Sequence, residues 1–191
     1  QGRPAQAHEL AARALAIQER VKGPGHPDTG LTLVFVGHLL HEMQRNKEAL
    51  PLLERARTIV EQSLGGRHPQ TGRAYLELAL VQDAMGRLAP AETNYRAALK
   101  TVRNGAVPLL LAQTSRAYGR YLVLRERLRE ALPYYREAIT VVERVFAETR
   151  GQSDEIRQQF AGRFNSYHHE LIELLVRLHA QDTGAGHDRE A

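Results

Sequence analysis

The side chains of this chain best suited to chemistry are its histidines. GHLLHEM at 37–43 sets His38, His41 and Glu42 three and four residues apart, so a single helix face could bring two imidazoles and a carboxylate toward a divalent metal. The zinc-protease arrangement differs, with histidines four apart and the glutamate directly after the first. Polar residues on a half-exposed helix face are therefore the favoured reading of this cluster. In SYHHELIELL at 166–175, His168 and His169 are sequence neighbours beside Glu170. On a helix they point about 100° apart and make a poor chelate. A third pair consists of His26 in GPGHPDTG, at 23–30, and His68 in GGRHPQTG, at 65–72, close to Asp28, Thr29 and Thr71. No glycine-rich phosphate loop and no GxSxG elbow is present. The sequence supports no catalytic centre, no metal site and no cofactor.

The last pair has an architectural explanation. His26 to His68 is a step of 42 residues, as are Thr29 to Thr71, Ala7 to Ala49 to Ala91, and Ala14 to Ala56 to Ala98. Ala131 and Ala138 follow Ala91 and Ala98 at 40, because the third joint, VRNGAVP, is two residues shorter and lacks His-Pro. A fixed period of this length marks a repeat architecture. The histidines then belong to joints whose Gly, Pro and Thr residues set turns and helix starts. Asp28 or Thr29 after Pro27, and Thr71 after Pro69, are the expected N-caps.

The stretches between joints read as helix pairs. Apolar residues of LTLVFVGHLLHEMQ and RAYLELALVQDAMG crowd one broad face, and EALPLLERARTIVEQSL has the i, i+3, i+4 spacing with charges opposite. QRNK at 44–47, GRLA at 86–89 and RERLR at 125–129 are short polar turns within pairs. Pro51, Pro90 and Pro133 come early in each second helix, where a missing N–H is tolerated.

Composition narrows the function classes. The 191 residues are 42% hydrophobic and 25% charged, with 26 basic and 22 acidic residues interspersed for a net charge of +4. That balance supports a folded core and offers no basic stripe for nucleic acid. The count of zero cysteines excludes a thiolate metal site or a cysteine nucleophile within these residues and suits a cytoplasmic setting. No apolar run approaches the roughly 18 residues of a membrane span.

The register of large and small residues resembles the tetratricopeptide repeat. One repeat gives Leu33, Val36-Gly37, Leu40 and Ala49-x3-Leu53; the next gives Tyr75, Leu78-Ala79, Gln82 and Ala91-x3-Tyr95; the third gives Ser115, Tyr118-Gly119, Leu122 and Ala131-x3-Tyr135. HEAT and armadillo repeats share a similar length but do not account for small residues at Gly37, Ala79 and Gly119 together with Ala49, Ala91 and Ala131. The length of 42 and the HPDT joint are similar to the long repeats of the kinesin light chain type. The resemblance implies an all-α, right-handed superhelical solenoid of antiparallel helix pairs. Its expected parts are a partial repeat at 1–22, repeats at 28–64, 71–103 and 109–149, and a capping helix at 153–181, together one domain over 1–181, with 182–191 a linker or disordered tail. Ser153 is the expected cap of the last helix, and Phe160, Phe164, Tyr167, Leu171, Leu174, Leu175 and Leu178 its buried stripe.

Resemblance to tetratricopeptide grooves also implies which residues line the concave wall: Leu31, Val34, His38 and His41, then Arg73, Leu76, Leu80 and Asp83, then Gln113, Arg116, Arg120 and Val123. Such a groove is apolar at one end and basic at the other, fitting a protein or extended peptide with apolar anchors and acidic groups. The Asn pair usual in the kinesin light chain type is replaced by Val34-Phe35, Leu76-Glu77 and Arg116-Ala117. The Leu-rich LIELL at 171–175 after the repeats resembles the passage into a CHAT domain, a caspase-like peptidase of bacterial proteins. On that reading the chain is a piece of a longer protein, its repeats a sensing or regulatory arm for a downstream domain. A free-standing adaptor, a self-assembling scaffold and the repeat region of a nucleotide-switch regulator are the alternatives.

Overall fold

The computed structural model describes residues 2–104, 107–148 and 154–187. Among the described residues there are eight helices and no strand: α1 Gly2–Lys22, α2 Pro27–Glu42, α3 Asn46–Leu64, α4 Pro69–Ala84, α5 Leu88–Arg103, α6 Pro108–Val123, α7 Leu128–Glu148 and α8 Asp154–His187. They form two compact units, Gln1–Val107 and Pro108–Ala191. In the first, each helix packs on the next in sequence, and α2 also touches α4; in the second, α7 packs against both α6 and α8.

The repeated alanines show why the period exists. Ala49, Ala56, Ala91, Ala98, Ala131 and Ala138 all have 0% exposure, so each marks a point where two helices approach closely. Glycine does the same on the facing helix. A Cβ added to Gly37 would lie 2.5 Å from Leu53 Cγ, and one added to Gly119 would lie 2.9 Å from Tyr135 Cε2. The small residue of the first helix thus accepts the large residue of the second, as the register predicts. In the first unit the apolar core runs through Leu33, Val36, Leu40, Leu53, Leu78 and Val81; in the second it includes Val142, Phe164 and Tyr167.

The joints are built differently from the expectation. The N-caps are His26 and His68, whose Nδ1 atoms accept from the amides of Asp28 at 3.1 Å and Gln70 at 3.2 Å. Pro27 and Pro69 occupy the first helical position, and a residue before proline is driven to the extended backbone that an N-cap needs. His26 has ψ 142° and His68 has ψ 137° accordingly. Thr29 and Thr71 are fully buried inside the first turn instead, and their hydroxyls donate backwards to the carbonyls of Gly23 at 3.0 Å and Gly65 at 2.8 Å. Those glycines end the preceding helices at φ 95° and 83°, a region that only glycine enters cheaply. Asp28 forms an ion pair with Lys22, which holds its carboxyl below the usual carboxylate range.

Three other details depart from expectation. Pro51 and Pro133 are the sixth residues of α3 and α7, beyond the first turn, so each removes one internal helix hydrogen bond; only Pro90 sits within the first turn of α5. On α8, Phe164, Tyr167, Leu174 and Leu178 are buried, whereas Leu175 is 42% exposed; one step of about 100° from Leu174 turns it off the packed stripe. Ser153 and the Phe160 side chain lie outside the described residues. The helix also continues to His187, correcting the expected end at 181: Thr183 Oγ1 donates to the carbonyl of His179, and Asp182 pairs with Arg129 of α7.

Candidate functional site

The expected groove residues come from the first helix of each repeat: α2 and α4 in one unit, α6 in the other. On α2, Leu31 is half-buried and Val34 is 4% exposed, packed with Leu33, Ala56, Ile59 and Ala74. On α4, Leu76 is 5% exposed. Val34 and Leu76 are therefore core residues that no partner can reach, which corrects their placement in the groove. The exposed aromatic lies one residue later: Phe35 is 47% exposed, and on the helix it adjoins Leu31 and His38.

His38 and His41 are held apart by separate partners. His38 Nδ1 lies 3.0 Å from Glu77 Oε2 on α4, and its Nε2 lies 3.5 Å from Glu42 Oε1. His41 Nδ1 is instead 2.7 Å from Asn46 Oδ1, at the start of α3. Among the described residues, no three His, Asp or Glu side chains converge as a metal site requires. The Glu77 hydrogen bond raises the pKa of His38 above its ordinary value of 6.5, against the opposing pull of burial. Arg73 Nε lies 4.0 Å from the other oxygen of Glu77, so one nearly buried carboxylate serves two cations. Leu80 and Asp83 are half-buried farther along α4.

In the second unit, Gln113 is exposed and Arg116 is spent internally. The Arg116 guanidinium grips Glu170 of α8 through two hydrogen bonds of 3.0 and 2.5 Å and lies 4.5 Å from the Tyr167 ring centre. Glu170 holds it more firmly protonated. Arg120, one turn on, is exposed and has no ion-pair partner among the described residues. It lines a cavity of about 200 Å³ with Val123, Leu124, Tyr135, Leu174, Glu173 and Arg177. Arg177 is engaged by Glu126 at 2.9 Å, and burial pushes the Tyr135 hydroxyl well above its ordinary pKa. Within the second unit Arg116 and Arg177 are thus neutralised by Glu170 and Glu126, and Arg120 stands without an ion-pair partner among the described residues in a cavity that Glu170 and Glu173 also line.

Sequence reasoning missed Glu77 and Glu170 as partners. Glu77 had a signal: it follows His38 by 39 residues, close to one repeat, so the two sit side by side on consecutive first helices. Glu170 follows Arg116 by 54, outside the period, and had none.

The comparisons agree with this geometry. Family models described as tetratricopeptide repeat match residues 28–104 and, separately, residues 1–28 and 119–148. No curated protein matches. Among solved structures, BtubC (BKLC) from P. vanneervenii is similar at a TM-score of 0.58 and 15% identity, over 86% of this chain and 59% of that one. The chain therefore spans less than two thirds of that relative. The kinesin light chain-like protein of Podosopora anserina, with nearly identical TPR-like repeats, is similar at a TM-score of 0.55 and 20% identity, over 95% of this chain and 89% of that one. Likeness at these identities is likeness of fold, and with the family matches, the buried alanine register and the consecutive helix pairs it leads to one conclusion: this chain belongs to the tetratricopeptide repeat family.

Proposed function

We propose that this chain is a non-catalytic module that receives a protein or extended peptide on the first-helix face of its repeats, with Arg120 as the principal polar contact. Tetratricopeptide repeats are in general protein-interaction modules, and stacked helix pairs offer extended binding surfaces. The observation that carries the reading is the pairing state of Arg120: an exposed guanidinium with no ion-pair partner among the described residues, in a cavity lined by Glu170, Glu173 and the apolar side chains of Val123, Leu124 and Leu174. A partner carboxylate placed there forms a charge-assisted, two-pronged hydrogen bond while a neighbouring apolar side chain fills the cavity. Leu31, Phe35, His38, His41, Arg73, Asp83 and Gln113 offer further contacts. Val34 and Leu76 do not, and Arg116 contributes only by fixing α8.

A displayed random-peptide library selected against the full chain tests this. Enrichment of peptides joining an acidic residue to an apolar one, lost in an Arg120→Glu variant of unchanged helicity, is the expected result. Equal enrichment by both proteins overturns it.

The wider setting we propose is cytoplasmic and bacterial, with the module acting as the sensing arm of a CHAT-type peptidase; an adaptor or a self-assembling scaffold is the alternative. The Leu-rich α8 after the repeats favours the first. Among the described residues no helix is long and apolar enough to cross a membrane. The mass of the native polypeptide separates the readings: a product much heavier than 21.5 kDa that continues into a His and Cys peptidase region supports the arm, and one of this size supports the adaptor.

A further inference from the structure

On the opposite walls of the first unit, α3 and α5 flank α4 and leave a cleft of about 540 Å³, within the roughly 300–1,000 Å³ range of binding clefts. At its base, Gln82 of α4 is only 6% exposed, and its Oε1 accepts from Nδ2 of Asn94 on α5 at 2.7 Å. The register makes this pair conspicuous. Gln82 occupies the place of Leu40 in the preceding repeat and Leu122 in the following one, at 2% and 0% exposure. Asn94 likewise stands where the other repeats have Leu52 and Tyr134. Both members of one contact have become amides in a single repeat, where burying an amide costs stability unless its hydrogen bonds are made.

Their hydrogen bonds are half made. The contact between them uses one donor and one acceptor, leaving the Gln82 amide hydrogens and the Asn94 carbonyl without partners among the described residues. Exchanging the oxygen and nitrogen of both amides preserves the result, so the pair always presents one donor beside one acceptor. That is the complement of one residue of an extended peptide, whose own N–H and C=O point to the same side. Pro51 and Leu78 supply apolar surface in the same cleft, and the Glu54 carboxylate there has no partner among the described residues, whereas the two arginines of the cleft are paired, Arg55 with Glu19 at 2.6 Å and Arg57 with Glu61 at 3.2 Å.

We infer that the α3–α4–α5 cleft is a second binding site, which holds an extended peptide of a partner protein by the backbone N–H and C=O of one residue at Gln82 and Asn94 and by a basic side chain at Glu54. The site shares no residue with the one proposed around Arg120, and the unpaired carboxylate disfavours a nucleic-acid backbone.

The probes are two arrays of capped heptapeptides, one with a central Lys and one with a central Glu, offered to the full chain. Retention of the Lys array above the Glu array is expected. The double variant Gln82→Leu, Asn94→Leu, which copies the Leu40 and Leu52 pairing of the preceding repeat, is expected to fold with a raised Tm and lose about tenfold in retention, the worth of one lost pair of hydrogen bonds. Asn94→Ala supplies the same test should the double variant fail to fold, and Glu54→Gln should erase the preference for Lys. Arg120→Glu leaves all of this unchanged, so failure here and failure of the Arg120 reading are distinguishable. Equal retention by wild type and either amide variant, preference for the Glu array, absence of retention, or displacement by a single-stranded oligonucleotide overturns the inference.

Discussion

His38 of α2 meets Glu77 of α4 across two consecutive repeats, with Nδ1 3.0 Å from Oε2 and the glutamate side chain 6% exposed. The pair joins neighbouring first helices of the first unit, and it sets a pH dependence. Glu42 and Arg73 are the other charged groups at the ring, the first raising and the second lowering its proton affinity. Because the folded-state pKa of His38 lies above the ordinary 6.5, the folded protein holds a proton that the unfolded chain releases first. The stabilisation is complete below 6.5 and fades as pH rises through the raised value. Urea unfolding of wild type and His38→Gln should differ more at pH 5.5 than at pH 9; an equal gap at both would contradict the assignment.

Gln44, Gly86 and Glu126 occupy the same turn in the three repeats, at φ 60°, 72° and 57°. Only the middle repeat has the residue suited to that backbone. Gln44→Gly should raise stability by about 1 kcal/mol, read as a higher urea midpoint with an unchanged slope. Gly86→Ala should lower it by a similar amount.

Thr71 donates to the carbonyl of Gly65 from a site with no solvent contact. Thr71→Val keeps the shape and removes one of the two hydrogen bonds to that carbonyl, which still accepts from the His68 amide at 3.2 Å, at a cost of about 1 kcal/mol. His68→Ala removes the cap for about 1 kcal/mol. Excess zinc should leave the Tm of the wild type unmoved, since His68 serves its own helix; a large upward shift would revive a metal role.

Gly37 lies against Leu53, and an added methyl group would clash with Cγ and Cδ2 at 2.5 Å. Gly37→Ala should cost about 1–3 kcal/mol. Leu53→Ala in the same chain should recover part of that loss, so the two changes together cost less than their sum.

How legible the chain is depends on what its residues do. The period was readable because close helix packing admits only small residues, so Ala49, Ala91 and Ala131 recur visibly at fixed steps. The caps were not, because histidine is not among the usual capping residues; the readable signal was the proline after it, which fixes both its own backbone and that of His26 or His68. Val34 and Leu76 are buried although the family pattern points them outward, because a groove position specifies a direction along the helix, while burial depends on the neighbours, for Val34 on how far Ile59 and Ala74 press in beside it. The pairing of Arg116 was hidden for a different reason. Its partner Glu170 sits on a helix outside the repeat register, and long-range partners outside a period leave no spacing to find.

In the first unit most packing joins helices consecutive in sequence, and α1 rests mainly on α2, with Glu19 also paired to Arg55 of α3 at 2.6 Å. Mechanical load applied at the two ends of such a unit runs through these neighbour contacts in series. It should therefore lengthen in steps, peeling α1 first and then one helix pair at a time, each step releasing a fixed length of chain while the pairs behind it keep their shape.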